Sequence, residues 1–347
     1  MTKSEEIMSA FSQMYFFKEL VIDNLTFRGN DGNNQELADL ILNFGDSIIA
    51  IQIKEREESA KTANIDIERK WFFDRMKLAK KQIRNTISFI RQGKLPSFRN
   101  KQGMDLTVRA DTEIVPLVVF VNDAIKDYSH ILESHSSDGF AVNCMSINDF
   151  QIMCKELIAP VEIVDYLKYR LDFYEKNGPV SLLISDLSEE DVIISRPASN
   201  ETLVHNYIVT KYGKDALNIG CEVFEHFRWF VQQTSERSLQ GKDNYSTYSI
   251  ILFLAQFSRN EIKAFEERLK LAIITSKRKI IKVVGSISVR DTYTVFFVSL
   301  MSEDDKLPMD YLYETARKYN PKRVLQVYIW WLNDIDFRID YLLLDTT

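Results

Sequence analysis

Residues 38–54 read ADLILNF-GD-SIIAIQIK: two apolar runs, Ala38–Phe44 and Ser47–Lys54, divided by Gly45-Asp46. Short β-like runs joined by a two-residue Gly-X loop specify a hairpin with a type II′ turn, in which glycine takes the positive φ at no steric cost. With that loop Phe44 pairs with Ser47 and paired residue numbers sum to 91, so Asp39 is expected directly across from Gln52. Cross-strand partners share a face, with Cβ atoms about 5 Å apart. Gln52 and Lys54, two residues apart, share that face as well. Ile49, Ile51 and Ile53 fall on the opposite face and are expected to pack on a helix. The pattern therefore gathers a carboxylate, a carboxamide and an ammonium at one end of otherwise apolar strands.

Such a cluster has a chemical reading. Carboxylate and amide oxygens are hard ligands suited to Mg²⁺ or Mn²⁺, with water and substrate phosphate completing the shell. The backbone carbonyl of Ile53 adds a further oxygen. A lysine beside that cation can orient the attacking water, whose pKa the metal lowers. These parts suit phosphodiester hydrolysis.

Outward from the hairpin, Ile7, Met8, Phe11, Met14 and Tyr15 recur at helical spacing and predict a helix from Ser4 to about Ile22, followed by a polar loop at Arg28–Gln35. On the other side, Phe72, Met76, Ala79, Ile83, Ile87 and Ile90 step by three or four along one face of a helix spanning Glu68–Arg91. A buried strand is expected at Ile114–Val121, a helix from Asp123 to about Ser134 and a strand near Phe140–Ile147. Helical sequence capped by Asn148 then runs to about Lys176. Asn177-Gly178-Pro179 and the acidic SDLSEED stretch mark a boundary between domains at 1–178 and 179–347. The second half reads as α+β, with a helix at Asn260–Ile274 and strands at Tyr293–Leu300, Val324–Trp331 and Phe337–Leu344.

Asp39, twelve intervening residues and Gln52-Ile53-Lys54 resemble the D…(D/E/Q)-x-K signature of the PD-(D/E)xK nuclease superfamily. The order of elements, helix, β-hairpin, helix and strand, resembles its core over roughly residues 5 to 125. Ala38 stands at the position of the name-giving proline, and Gln52 replaces the second acid, as in the Mrr-like branch. The resemblance implies a restriction-endonuclease-like α/β core in which Asp39 and Gln52 hold Mg²⁺ or Mn²⁺ and Lys54 activates water. It also implies an acid from the first helix, for which Glu19 is the nearest candidate and Glu36 a second.

Charge distribution points the same way. The chain carries a net −6, yet Arg69–Lys101 holds eleven Lys/Arg against Asp74 alone, a net of +10 that leaves −16 for the remainder. On the helix, Lys77, Lys81, Arg84, Ser88 and Arg91 form a stripe opposite the apolar one, flanked by Lys80 and Gln82. A stripe of one sign suits a phosphate backbone. The acidic remainder leads to the expectation that the C-terminal domain avoids phosphate and deals with protein.

Other signals are absent or bland. Three cysteines make no disulfide framework and no zinc pair, so a reducing, cytoplasmic setting is expected. The acidic N-terminus does not read as a secretory leader. The longest apolar runs, Ile114–Val121 and Ile250–Ala255, fall short of the roughly 20 residues that cross a bilayer. Cys144 and Cys154 read as core residues, and in the Trp330-Trp331 pair one exposed and one buried ring is expected. The leading expectation is a Mg²⁺-dependent DNA endonuclease, with defence against foreign DNA as an analogy from fold, acting as a homodimer or with a protein partner. Two alternatives stand beside it: a catalytically degenerate nucleic-acid binder, and a protein-interaction subunit.

Overall fold

The computed structural model describes residues 3–28, 34–93, 98–99, 105–106, 108–125, 141–177, 200–219, 224–239, 244–290, 293–302, 323–331 and 337–345. The chain divides into two compact units, Met1–Leu217 and Asn218–Thr347.

The first unit opens with helix α1 (Lys3–Tyr15) and a 3-10 turn at Lys18–Leu20, then strands β1 (Val21–Arg28), β2 (Asn34–Asn43) and β3 (Ser47–Glu55). Helix α2 (Ile65–Arg91) leads through the short pair β4 (Phe98–Arg99) and β5 (Asp105–Leu106) to β6 (Glu113–Val121) and β7 (Asn143–Ser146). Helices α3 (Ile147–Glu156), α4 (Pro160–Asn177) and α5 (Asn200–Tyr212) follow. The sheet order is β1-β2-β3-β6-β7, antiparallel across β1–β2–β3 and parallel across β3–β6–β7. The unit is thus an α/β protein with a mixed sheet.

The hairpin register is as expected. Leu40 pairs with Ile51, Ile41 with Ala50, Leu42 with Ile49 and Asn43 with Ile48. Gly45 takes φ 83°, and Phe44 N–H donates to the Ser47 carbonyl at 2.9 Å. The first helix is shorter than its periodicity suggests. It stops at Tyr15, and Val21–Arg28 forms β1 because β2 supplies the hydrogen-bond partners that its β-branched and aromatic residues suit. The loop expected at Arg28–Gln35 therefore ends a strand at Arg28 and begins another at Asn34.

Both faces of this sheet are covered. Gln52 is in register with Val118 and Lys54 with Phe120, so these four share a face. Val118 and Phe120 belong to one apolar cluster with Trp71, Phe72, Met76, Ala79, Ile83 and Ile87 of α2. Helix α2 therefore packs on the face that carries Gln52 and Lys54, while Ile49, Ile51 and Ile53 lie buried on the other. There Glu55, of the same parity, accepts from Ser4 N–H of α1, and Phe11 and Phe16 pack on Phe150 of α3. The apolar stripe of α2 is buried along its length, and Asn64 caps its start by accepting from Asp66 N–H at 3.0 Å.

Further along, Ser146 rather than Asn148 caps α3, accepting from Asp149 N–H at 3.2 Å, and the helical stretch breaks before Pro160, which opens α4. The expected helix to Ser134 runs outside the described residues, as does the SDLSEED stretch. The units part at 217, past the expected 178, because α5 packs on the first unit. Tyr166 O–H donates to Asn200 Oδ1 at 2.7 Å, Asn200 Nδ2 donates to the Asp149 carbonyl at 3.1 Å, and the Tyr166 and Tyr207 rings meet edge-on at 5.6 Å.

In the second unit, helices α6 (Glu225–Leu239), α7 (Asn244–Leu254) and α8 (Arg259–Lys277) precede strands β8 (Lys282–Val289), β9 (Tyr293–Ser299), β10 (Arg323–Trp331) and β11 (Phe337–Asp345). The sheet order is β11-β10-β9-β8, with only β9–β10 parallel. Ser258 and Glu261 close a capping box on α8, and Phe265 of that helix meets Phe297 of β9 edge-on at 4.9 Å. The acidic charge is not concentrated here: residues 218–347 hold eighteen Lys/Arg and seventeen Asp/Glu, a net of +1. The acidic remainder of the chain therefore lies mostly outside this unit. Cys144 and Cys154 are buried and in no disulfide, and Trp330 is buried; the Trp331 side chain lies outside the described residues.

Candidate active site

Strands β2 and β3 pair as far as Leu40 and Ile51. A continued ladder would bring the Ile53 N–H to the Ala38 carbonyl. Instead the Asp39 carboxylate takes it, Oδ2 accepting from Ile53 N at 2.5 Å. Asp39 and Gln52 thus come together where the strands stop exchanging backbone bonds.

Lys54 closes the group. Its Nζ donates to Gln52 Oε1 at 3.0 Å and to the Ile53 carbonyl at 3.0 Å, and stands 3.6 Å from Asp39 Oδ2. One ammonium is therefore held among three oxygens of different chemistry. The residues are nearly sealed: Asp39 is 5% exposed and Gln52 1%, and the Lys54 side chain, at 11%, is the most open of the three. Burial pushes the Asp39 carboxyl above its usual range, outweighing the Lys54 charge and the Ile53 N–H that favour the carboxylate, and Glu5 of α1 adds to the rise.

The sequence expectations for supporting acids fare unevenly. Glu19 lies in the 3-10 turn after α1, not within the first helix, and is buried. The further acid whose charge reaches Asp39 is Glu5. Glu36 is on β2, with its side chain outside the described residues. Among the described residues no group of three His, Cys, Asp or Glu could together hold a metal ion. The oxygens that could hold one are Asp39 Oδ2, Gln52 Oε1 and the Ile53 carbonyl. Their convergence on one cationic nitrogen fits a hard cation that completes its shell with water and phosphate.

A second polar cluster was not anticipated from the sequence. Arg56 continues the row of Gln52 and Lys54 at period two, just past the end of β3. Its guanidinium donates to Glu68 at 3.1 and 3.2 Å and to the Ala60 carbonyl at 2.6 Å, and lies 5.7 Å from the centre of the Trp71 ring. Glu68, fully buried on α2, also accepts from Asn122 Nδ2 at 2.7 Å and Thr62 N–H at 3.1 Å. This brace ties the ends of β3 and β6, the following loop and the start of α2 together. Burial pushes the Glu68 carboxyl up, but Arg56, Asn122 and the Thr62 N–H outweigh it and hold the carboxyl below its ordinary value. The alternation Gln52-x-Lys54-x-Arg56 was a signal that could have placed Arg56 in this row, but not Glu68 or Asn122 beside it.

On the outer side of α2, Lys77, Lys81 and Arg91 are exposed, as are Lys70 and Arg75. Lys80, Gln82 and Arg84 are half-buried. Because α2 lies on the face of Gln52 and Lys54, the stripe and the polar cluster belong to the same side of the sheet.

Fold and site together define an α/β protein with a buried oxygen-rich cluster at a strand end and a basic helix over it. No family model, curated protein or solved structure matches the chain. Among the described residues no helix is long and apolar enough to cross a membrane.

Proposed function

We propose that the chain is a metal-dependent DNA endonuclease with a restriction-endonuclease-like core. The observation that carries this reading is the meeting of Asp39 Oδ2, Gln52 Oε1 and the Ile53 carbonyl around Lys54 Nζ. The order of helix, antiparallel strands, helix and parallel strand supports it. So does the exposed row of Lys77, Lys81 and Arg91 on the same side of the sheet.

In this reading Asp39, Gln52 and the Ile53 carbonyl hold the cation, and Asp39 contributes its single formal charge. Mg²⁺ or Mn²⁺, when bound, polarises a phosphoryl oxygen and lowers the pKa of a bound water. Lys54 orients that water toward phosphorus. The exposed lysines of α2 hold the phosphodiester backbone by charge. The Arg56–Glu68–Asn122 brace keeps the end of β3 in place, and with it the direction of Lys54.

Cleavage of single- and double-stranded DNA and of RNA, each with and without Mg²⁺ or Mn²⁺, tests the proposal. Asp39→Ala and Lys54→Ala should each lower metal-dependent cleavage by about 100-fold or more, the usual scale for losing a group that positions or activates water. Unchanged activity in both variants sinks the reading.

A second reading has its own support. One carboxylate, with almost no exposure, also suits a nuclease fold that grips nucleic acid without cutting it. Calorimetric titration with Mn²⁺ separates the two: a non-cutting site shows no binding that depends on Asp39.

A further inference from the structure

Lys54 is asked to do two things that one position does not allow. To orient water it must point at the substrate, yet its ammonium sits among the oxygens assigned to the metal: Gln52 Oε1 and the Ile53 carbonyl at 3.0 Å, and Asp39 Oδ2 at 3.6 Å. Two cations cannot share these lone pairs, because the charges repel and each oxygen pair is already directed at one of them.

We infer that the Lys54 ammonium is the resident cation of this site and that a divalent metal enters by displacing it. The inference rests on the proposed metal-binding reading of Asp39, Gln52 and Ile53. It assigns Lys54 two successive positions. In the first it offsets the buried Asp39 charge and keeps the three oxygens gathered. In the second, released by the incoming cation, it is free to orient water.

Three features make the exchange physically reasonable. Lysine carries its charge on a flexible four-carbon stem and is strongly hydrated, so release of the head into water recovers solvation. Lys54 is the most exposed member of the group and stands one residue before the end of β3, where its head has a route outward. Asp39, only 5% exposed, interacts more strongly with a cation of higher charge than with the ammonium it gives up.

The experiment uses the full-length chain and Mn²⁺ as the probe, with free Mn²⁺ read by electron paramagnetic resonance. Lys54→Met keeps most of the length of the stem and removes the competing charge. It should bind Mn²⁺ about tenfold more tightly than the wild type, the scale of one charge-assisted hydrogen bond. Lys54→Gln should also bind more tightly and serves if the methionine variant folds poorly. Asp39→Asn should lose the binding.

A second readout needs only the wild type. Acylation of Lys54 by an amine-directed ester, followed by peptide mass spectrometry, should be slow without metal and rise several-fold with Mn²⁺. Equal or weaker Mn²⁺ binding in both Lys54 variants, or labelling that Mn²⁺ leaves unchanged, overturns the displacement. If binding is nevertheless lost in Asp39→Asn, the metal site itself survives. Absence of Mn²⁺ binding in every form overturns the displacement and the metal reading together.

Discussion

Asp39 on β2 and Glu68 on α2 are both buried carboxylates with a basic partner, yet their pKa values move in opposite net directions. Glu68 receives a guanidinium, a side-chain amide and a backbone N–H, and its carboxyl is held low. Asp39 receives one backbone N–H and an ammonium at 3.6 Å, and its carboxyl is raised. The difference separates a carboxylate that holds the fold from the one on which the proposed metal site rests. A carboxylate answered by a guanidinium, an amide and a backbone N–H is a brace, and one that burial leaves short of positive charge is not held in that way.

The comparison breaks most visibly in stability. Glu68→Ala removes the acceptor shared by the buried Asn122 amide and the partly exposed Arg56 guanidinium and should cost about 2–4 kcal/mol, measured by urea denaturation. A cost below about 1 kcal/mol would remove the distinction between brace and site. The same residue sets a pH dependence. Its folded-state pKa lies below the ordinary 4.5, so its stabilisation is present above that value and is lost as pH falls through the folded one. Glu68→Gln should flatten that part of the acid limb.

Asp39 has the opposite sign. Its folded-state pKa lies above the ordinary 3.8, so its contribution is complete below that value and is lost as pH rises through the folded one. Asp39→Asn should therefore cost about 1 kcal/mol or less near neutral pH, far less than Glu68→Ala, while abolishing Mn²⁺ binding. A destabilisation as large as that of Glu68→Ala would make Asp39 a second brace.

The smallest stability effect belongs to the exposed stripe. Reversal of Lys77, Lys81 and Arg91 to glutamate should leave stability within about 0.5 kcal/mol. It should reduce the salt slope of DNA binding by up to about 3, near 0.9 for each phosphate no longer neutralised. A salt slope that the reversal leaves unchanged would exclude this helix as the backbone-binding surface.

Particular residues show how far the sequence could be read. The Asp39–Gln52 juxtaposition followed from the two-residue loop and the alternation of strands, both of which are local. The apolar stripe of α2 was equally legible, since helical periodicity records burial directly. The strand Val21–Arg28 was not, because it is specified by its pairing with β2 rather than by its own pattern. The same holds for Glu68. Nothing near it in the chain announces that it will meet Arg56 and Asn122, twelve and fifty-four residues away. The boundary at 217 depended on α5 packing back on α3 and α4, which a composition shift near 178 cannot reveal.

By itself, the sequence determined the hairpin, its register, the buried stripe of α2 and the segregation of positive charge onto that helix. These depend on periods of two and 3.6 and on the turn chemistry of Gly45, all acting within a few residues. Only the tertiary structure decided that α2 covers the face bearing Gln52 and Lys54. It also decided that Asp39 answers Ile53 N–H in place of a ladder bond and that the Lys54 ammonium rests among the three oxygens. The reason is physical: burial and donor count around a carboxylate are set by segments distant in the chain, and they determine whether its charge is already answered or still available.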